Sequence, residues 1–420
     1  MIKLRPYQQE ALEKIRWCIK EELPGGSIIS LPTGAGKSIV IAEMANYLNQ
    51  NILIFQPTKE ILEQNVKKLM QYVPEEEIGI YSASKGRKDI RKYTFAMIGS
   101  VYKKAEEFKD FKIVIIDECH LVNMKKESGM YMSFLEALNI KQMYGFTATS
   151  YRQFPTYFTE YTKYGSTLYM ATSIKLLNRV HISKVRKEYF WHRILFNIDC
   201  VDLIEQGYLS PLEYIDKTSI KQEFLPLNKS QTDFDIEKYD VVAGKHDKEI
   251  SEIIDVARNK YKSVLVFCNS IAQSKRLNIY FPTSERVDSE TKPKDRERII
   301  ESFRSGKTKI VFNVGVLTTG FDMPELDCIV LLRPTKSIAL YYQMLGRGVR
   351  IAPGKEKCTV IDWTDTVNKI GPIESIKLTR VKGMWNVVSS AKPEGWNGVQ
   401  LYKLNMQKEE KSSVKLGLFD

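Results

Sequence analysis

The chain is poor in the features that would place it outside the ordinary soluble enzymes. Its six cysteines (Cys18, Cys119, Cys200, Cys268, Cys328 and Cys358) are scattered through 420 residues without a C-x-x-C pair. That spacing indicates neither a zinc site nor a disulfide framework, and a reducing cytoplasm is the expected setting. No apolar run approaches the roughly 18 residues of a membrane span, and the opening MIKLRPYQQE is polar and charged, which argues against a secretory signal. The remaining composition, 43% hydrophobic and 27% charged, is that of a globular protein. Its length leaves room for two or three domains, each burying its own core. The net charge of +12 is concentrated in residues 151–200, where eight basic residues face three acidic ones. A polyanionic partner and a solvated basic surface both fit that balance.

What is present begins with LPTGAGKS, Leu31 to Ser38, between an apolar run and a helical-looking one. A glycine-rich turn from strand to helix aims backbone N–H groups and the positive end of the helix dipole at one point, which suits phosphate. Lys37 can reach the β and γ phosphates of a nucleotide and Ser38 can hold Mg²⁺. The pattern G-x-x-x-x-G-K-[ST] is met except at its first position, occupied by Leu31. Taken alone, the stretch also reads as an incidental turn. Upstream, Pro6 opens a helix whose apolar stripe includes Leu12, Ile15, Trp17 and Ile19, and Gln8 carries an amide able to read adenine.

Short apolar runs then recur at 52–55, 95–98, 113–116 and 143–146, separated by helical segments such as 60–70. This alternation predicts an α/β fold with a parallel sheet covered on both faces, its ligands at the carboxyl ends of the strands. The third run ends in IIDECH, so Asp117 and Glu118 leave a buried strand together, one suited to Mg²⁺ and the other to deprotonating an attacking water. His120 reads either as a coupling residue or as a satisfied polar side chain. The periodicity resets near Leu203; residues 216–250 read as a linker plus the first helix of a second unit. Apolar runs resume at 263–268, 309–314, 328–332 and 358–361, giving two α/β units in tandem. In YYQMLGRGVR, Gln343, Arg347 and Arg350 are spaced by four and three, one face of a helix. Arginines there would meet a γ-phosphate with rigid, permanently charged donors. Gly346 and Gly348 would each cost a surface helix about 1 kcal/mol, so another constraint is expected to require them.

With these blocks in order, the chain resembles the superfamily 2 helicases over most of residues 4–365. LRPYQQ is similar to the adenine-reading Q motif, LPTGAGKS to motif I, PTKEILEQ to Ia, IGS (Ile98 to Ser100) to Ib and IIDECH to motif II in its DExH form. GFTATS resembles motif III, VLVFCNS IV, VGVLTTGFDMPELD V and QMLGRGVR VI. The DECH tetrad, LIEQGYLSPL, TTGFDMP and QMLGRGVR resemble the branch containing RadD, the motors of type III restriction enzymes and phage recombination helicases such as UvsW. The RadD-like cysteine cluster, the N-terminal domain of UvsW and a nuclease-like acidic constellation are not found, which leaves a compact bacterial or phage-encoded repair motor.

The resemblance implies two tandem RecA-like domains, residues 1–210 and 211–370, with an ATP cleft between them and a C-terminal extension, 371–420. ATP would be held by Arg5, Gln8, Thr33, Gly34, Ala35, Gly36, Lys37 and Ser38, and Mg²⁺ by Ser38 and Asp117. Glu118 would activate water, while Gln343, Arg347 and Arg350 complete the site. Pro57, Thr58, Ser100, Asn269, Thr318 and Thr319 would contact the backbone of nucleic acid, without reading sequence and with strong salt dependence. His120, Thr147, Thr149, Gly320 and Asp322 would couple the two events. The expected partner is forked or branched DNA, with the chain acting as a monomer in the cytoplasm of a bacterial cell or phage-infected host.

Two segments extend beyond the motifs. Residues 151–200 interleave basic residues, among them Arg179, Lys184 and Lys187, with aromatics that include Phe190 and Trp191. That mixture suits a DNA-engaging element such as a strand-separating pin, or else a part of the first core with a basic rim. The extension carries Trp385, Trp396 and Tyr402, expected to dock on the body, and ends in Leu-Gly-Leu-Phe, expected to be frayed. An ATP-driven DNA motor is the leading reading; an ATP-gated clamp or sensor, or an RNA track, stays open.

Overall fold

The computed structural model describes residues 3–122, 129–138, 140–162, 165–180, 189–228, 232–317, 323–381, 384–393, 395 and 402–403; within these, 154–173, 380–385 and 402–403 are described as backbone alone. The first sheet takes β1 (Gly25–Ser30), β2 (Ile52–Phe55), β3 (Ile78–Ser82), β4 (Arg87–Lys88), β5 (Tyr93–Ala96), β6 (Ile113–Asp117) and β7 (Gln142–Thr147). Next come a hairpin of β8 (Tyr151–Thr162) and β9 (Gly165–Leu176), and then β10 (Trp191–Asn197), which returns to that sheet. Its order is β10-β1-β7-β6-β2-β5-β3-β4, parallel except for β4. A second sheet of β11 (Leu212–Asp216), β12 (Val264–Phe267), β13 (Glu285–Val287), β14 (Ile310–Asn313), β15 (Cys328–Leu331) and β16 (Cys358–Asp362) is wholly parallel, ordered β11-β16-β15-β12-β14-β13. Helices cover the sheets, and β2, β6, β12, β14, β15 and β16 are buried at every position. Such strands read as continuous apolar runs, which is why the sequence marks them.

The expected helix runs from Pro6 to Lys20 and buries Leu12 and Ile15 with Tyr7, Ala11 and Cys18. Trp17 is off that stripe, 53% exposed. The stretch read as a linker folds onto the second sheet instead. Leu225 and Phe234 join its core, and Gln222 donates from its side chain to Thr366 Oγ1 (2.9 Å) and from its N–H to Asp365 (3.2 Å). A polar stretch need not be free when its polar groups find partners inside.

Residues 151–200 are not one element. Residues 151–162 and 165–176 pair as the hairpin, whereas Trp191 is fully buried and Phe190 packs on it at 5.1 Å in the first core. His192 Nδ1 accepts the Gly26 N–H (3.0 Å) and Arg193 donates to Ser27 Oγ and the Pro24 carbonyl, so both serve the sheet edge. Lys184 and Lys187 lie outside the described residues, as do Trp396, the side chains of Trp385 and Tyr402, and the terminal Leu-Gly-Leu-Phe. In the extension, β17 (Lys377–Val381) pairs with β18 (Met384–Val388), and β19 (Tyr402–Lys403) adds to the hairpin beside β9.

Candidate active site

The loop after β1 is built on two left-handed turns, Gly34 at φ +85° and Gly36 at φ +80°, a region that side-chain-bearing residues avoid. A Cβ on Gly36 would lie 2.5 Å from Gln8 Nε2. Leu31, the departure from the motif, is fully buried, and its N–H donates to the Thr147 carbonyl (2.9 Å), extending the sheet. Position 31 is therefore a core position, outside the loop's sharp turns. The Lys37–Leu48 helix follows, its N-terminus aimed into the cleft between the sheets. Lys37 Nζ lies 3.4 Å from the Leu31 carbonyl and 3.7 Å from Glu118 Oε1.

Gln8 does not offer a free amide. Its Oε1 accepts the Arg5 N–H and its Nε2 donates to the Ala35 carbonyl, both at 3.0 Å, with the side chain 2% exposed. The amide thus ties the first helix to the phosphate loop. Arg5 faces the cleft, stacked over the Tyr208 ring at 5.1 Å and bonded to Tyr7 Oη and the Tyr208 carbonyl. Tyr208 is a cleft residue that motif reasoning did not assign, although it lies within LIEQGYLSPL.

β6 delivers Asp117 and then Glu118, which adopts φ +48°, an unusual conformation for a residue with a side chain. Asp117 accepts the Glu118 N–H (2.9 Å) and the Asn65 side-chain amide (3.1 Å). Burial, reinforced by the Glu118 charge, raises the Asp117 carboxyl above its ordinary pKa. Burial also presses Glu118 upward, but Lys37, His120 and Arg347 outweigh it and hold that carboxyl below the usual range. Asn65 was not anticipated. It shares the buried face of the Lys59–Leu69 helix with Leu62 and Leu69, and a polar residue within an apolar stripe was its legible signal.

From Glu118 a chain of polar contacts crosses the cleft. His120 Nδ1 lies 3.3 Å from Glu118 Oε2 and 2.9 Å from Thr147 Oγ1, while Nε2 meets Gln343 Nε2 at 3.5 Å. His120 thus stands between the acid at the end of β6, the Thr147 hydroxyl and the Gln343 amide of the opposite wall. Thr147 Oγ1 also accepts the Thr149 N–H (3.0 Å) and donates to its carbonyl. Gln343, Arg347 and Arg350 do not share one helix, since the Ile338–Leu345 helix ends before both arginines. Tight turns carry them into the cleft instead. Gly346 explains the approach: a Cβ there would lie 2.6 Å from Thr33 Cβ in the phosphate loop, and one on Gly348 would strike Cys358 Sγ at 2.7 Å. Burial lowers both Arg347 and Arg350 to about 10, with Glu118 opposing the shift at Arg347 and Arg304 adding to it at Arg350. Both guanidinium groups stay charged at neutral pH.

The cleft measures about 1090 Å³, ample for a nucleotide. Among the described residues no group of three or more His, Cys, Asp or Glu side chains is placed to hold a metal ion. Ser38 and Asp117 both line the cleft. One hydroxyl and one carboxylate suit Mg²⁺, which takes few protein ligands when phosphates supply the rest.

The expected nucleic-acid contacts are spread differently. Thr58 Oγ1 accepts the Ile61 N–H (3.3 Å) as a helix cap, and Ser100 Oγ accepts the Ala83 N–H (3.0 Å). Pro57 is half-buried beside Thr58, and Arg179 is exposed in the turn after β9. Asn269 is 5% exposed and its side-chain amide donates to the Ile236 carbonyl (3.0 Å). Thr318, Thr319, Gly320 and Asp322 lie outside the described residues.

Residues 1–152 match the family described as type III restriction enzyme, res subunit, and residues 245–352 the helicase conserved C-terminal domain. The chain is 27% identical to IRC3 of Saccharomyces cerevisiae, named as an ATP-dependent helicase, over 86% of this chain and 51% of that protein. It is 26% identical to the ATP-dependent DNA helicase UvsW of Enterobacteria phage T4, over 81% of this chain and 65% of that one. The chain thus spans from about half to two thirds of these relatives' length. Among solved structures, the Type ISP restriction-modification enzyme LlaBIII bound to DNA superposes with a TM-score of 0.58 at 18% identity, over 86% of this chain and 28% of LlaBIII.

Proposed function

We propose, from the premise that the chain belongs to the superfamily 2 helicases, that it is a motor that hydrolyses ATP to move along DNA and unwinds or remodels forks and four-way junctions. The observation that carries this reading is the meeting of the two walls. Gly346 packs against Thr33 so closely that no side chain would fit, while Arg347, from the second sheet's side, lines the same cleft as Lys37 and Glu118. On this reading residues 1–210 and 211–370 are the two domains, 371–420 an extension, and closure of the cleft completes the chemistry. Lys37 and the amides of Gly34 to Ser38 hold the β and γ phosphates, and Arg5 with Tyr208 holds the base. Glu118 takes the proton of the attacking water as its oxygen bonds to the γ phosphorus and the bond to the β-phosphate oxygen breaks. Arg347 and Arg350 meet the charge that moves onto the leaving oxygen, an effect worth about 10³ to 10⁵ in rate in such sites. Mg²⁺, held by Ser38 and Asp117, would add charge neutralisation on the phosphates.

His120, Thr147 and Thr149 carry the state of the cleft to the track, where Thr58, Ser100 and the exposed Arg179 are available to phosphate. The relatives' names support DNA as the track, and the six buried, free thiols suit a reducing cytoplasm. Among the described residues no helix is long and apolar enough to cross a membrane. The test is ATPase stimulation by single strand, duplex, fork, four-way junction and RNA at one salt concentration, beside strand displacement on the fork. Stimulation greatest with fork or junction, with strands displaced, is the expected result. Stimulation without displacement would leave an ATP-gated clamp, and stimulation by RNA alone would overturn the DNA track.

A further inference from the structure

The strand that leaves the GFTATS turn grips both walls of the cleft with adjacent residues. Arg152 Nη1 donates to the carbonyl of Val122 (3.2 Å), two residues beyond His120. Gln153 Nε2 donates to the carbonyl of Lys336 (2.6 Å), and its Oε1 accepts the N–H of Ile338 (3.0 Å). Those two backbone groups flank Ser337, whose side chain caps the Ile338–Leu345 helix by accepting the Leu340 N–H. That helix carries Gln343 and runs into Gly346 and Arg347. Residues 152 and 153 are neighbours at the start of β8, so their side chains leave on opposite faces. A single strand thereby reaches the acid-bearing wall on one side and the arginine-bearing wall on the other. The same strand continues to Thr162 and pairs along its whole length with β9, forming the long hairpin.

We propose that Gln153 is a positioning residue that ties the strand leaving GFTATS to the arginine wall, so that DNA-stimulated hydrolysis depends on this clamp to present Arg347 to the cleft. Only a carboxamide fits both partners, because it offers one donor and one acceptor side by side. Both partners are backbone groups, so residue 153 is the one side chain of the clamp whose replacement removes it. The Ile338 N–H belongs to the first turn of its helix, where N–H groups lack intrahelical acceptors, and Gln153 supplies one from the other half of the molecule. Motif comparison passes over position 153 because it lies just beyond the last residue of GFTATS and its partners are 183 and 185 residues away.

This inference rests on the motor reading above and deepens it. Its test is the full chain assayed for ATP hydrolysis with and without forked DNA, as parent, Gln153→Ala and Gln153→Glu, with fork affinity and thermal midpoint measured for each. Gln153→Ala should cut the stimulation by DNA about tenfold or more through kcat, while the KM for ATP and the Kd for the fork change less than about twofold. Gln153→Glu should be intermediate, since a carboxylate still accepts the Ile338 N–H but meets the Lys336 carbonyl with a second acceptor. Full stimulation of Gln153→Ala overturns the clamp and leaves the motor reading intact. A parent that no nucleic acid stimulates overturns both. A loss of stimulation matched by an equal loss of fork affinity marks a DNA contact and also overturns the clamp. If Gln153→Ala is poorly folded, the near-isosteric Gln153→Glu decides, and unchanged stimulation in it counts against the proposal.

Discussion

Each sheet ends an interior strand in an aspartate, yet Asp117 lines the cleft between the sheets and Asp362 is not among its lining residues. IVIID closes β6 with Asp117, and CTVID closes β16 with Asp362; each is at least nine-tenths buried. Asp362 gives both oxygens to its own loop, accepting from the N–H and hydroxyl of Thr364 (2.8 and 2.7 Å) and from the Val367 N–H (2.7 Å). Asp117 accepts one bond from its own loop and one from Asn65, and stands beside Glu118 and Lys37. The turns after β1 and β12 differ likewise. After β1 the chain opens into two left-handed glycines, whereas after β12 Ser270 caps the following helix by accepting the Gln273 N–H (2.9 Å). One architecture thus yields a chemical wall where local hydrogen bonding is left incomplete for a ligand, and a structural wall where it closes on itself.

The largest expected effect separates what the two sides of the cleft contribute. Arg347→Ala should lower kcat for ATP about 10³-fold or more while nucleotide binding, read by equilibrium fluorescence, changes less than about tenfold. Lys37→Ala should lose binding and turnover together. A fast Arg347→Ala would mean that the arginine side is structural in the way Asp362 is.

Asp117→Asn sharpens the contrast in stability. Burial and Glu118 raise the Asp117 carboxyl, so the folded chain holds that proton more tightly than the unfolded chain does. Its contribution therefore turns unfavourable as pH climbs from the ordinary carboxylate range through the raised value, and the penalty is complete above it. Removing the charge should stabilise the nucleotide-free protein at pH 7 by about 1 kcal/mol or more, flatten that part of the pH–stability curve and suppress hydrolysis. Thermal unfolding across roughly pH 4 to 8, from the ordinary carboxylate range to above the raised value, checks the sign; a variant less stable than the parent would count against it.

Next in size, Asn65→Ala and Thr364→Ala remove one partner from each aspartate. Freed from Asn65, Asp117 should need about tenfold more Mg²⁺ for half-maximal ATPase. Thr364→Ala should cost about 1 kcal/mol of stability with kcat unaltered. Equal metal dependence in the two variants would erase the distinction between the sheets. The smallest effect belongs to the Arg296–Glu60 pair (2.9 Å), which bridges the rim of the cleft with both side chains partly exposed. Arg296→Ala should change kcat less than about threefold, a difference that salt should remove.

Much of this was legible in the chain because it depends on local order. A fully buried parallel strand must be an apolar run, so β2, β6, β12 and β15 fall within a residue or two of the expected ones. Lys37, Asp117 and Glu118 were legible because glycine turns and strand-end acids are local patterns. Asn65, Tyr208 and Gln153 were not, since each acts through partners brought near by folding. The internal bonds of Gln8 and Asn269 were not legible for the same reason: an amide has two ends, and the sequence does not tell which backbone groups will take them.

By itself the sequence determined two parallel sheets, a phosphate-type loop and a strand-end acid pair, because side-chain periodicity and backbone freedom are properties of neighbouring residues. Only the tertiary structure decided that Gly346 presses on Thr33, that Arg347 shares a cleft with Glu118 and that one strand holds both walls. Those relations join residues hundreds of positions apart, and close packing, which has no counterpart in a linear chain, selects them.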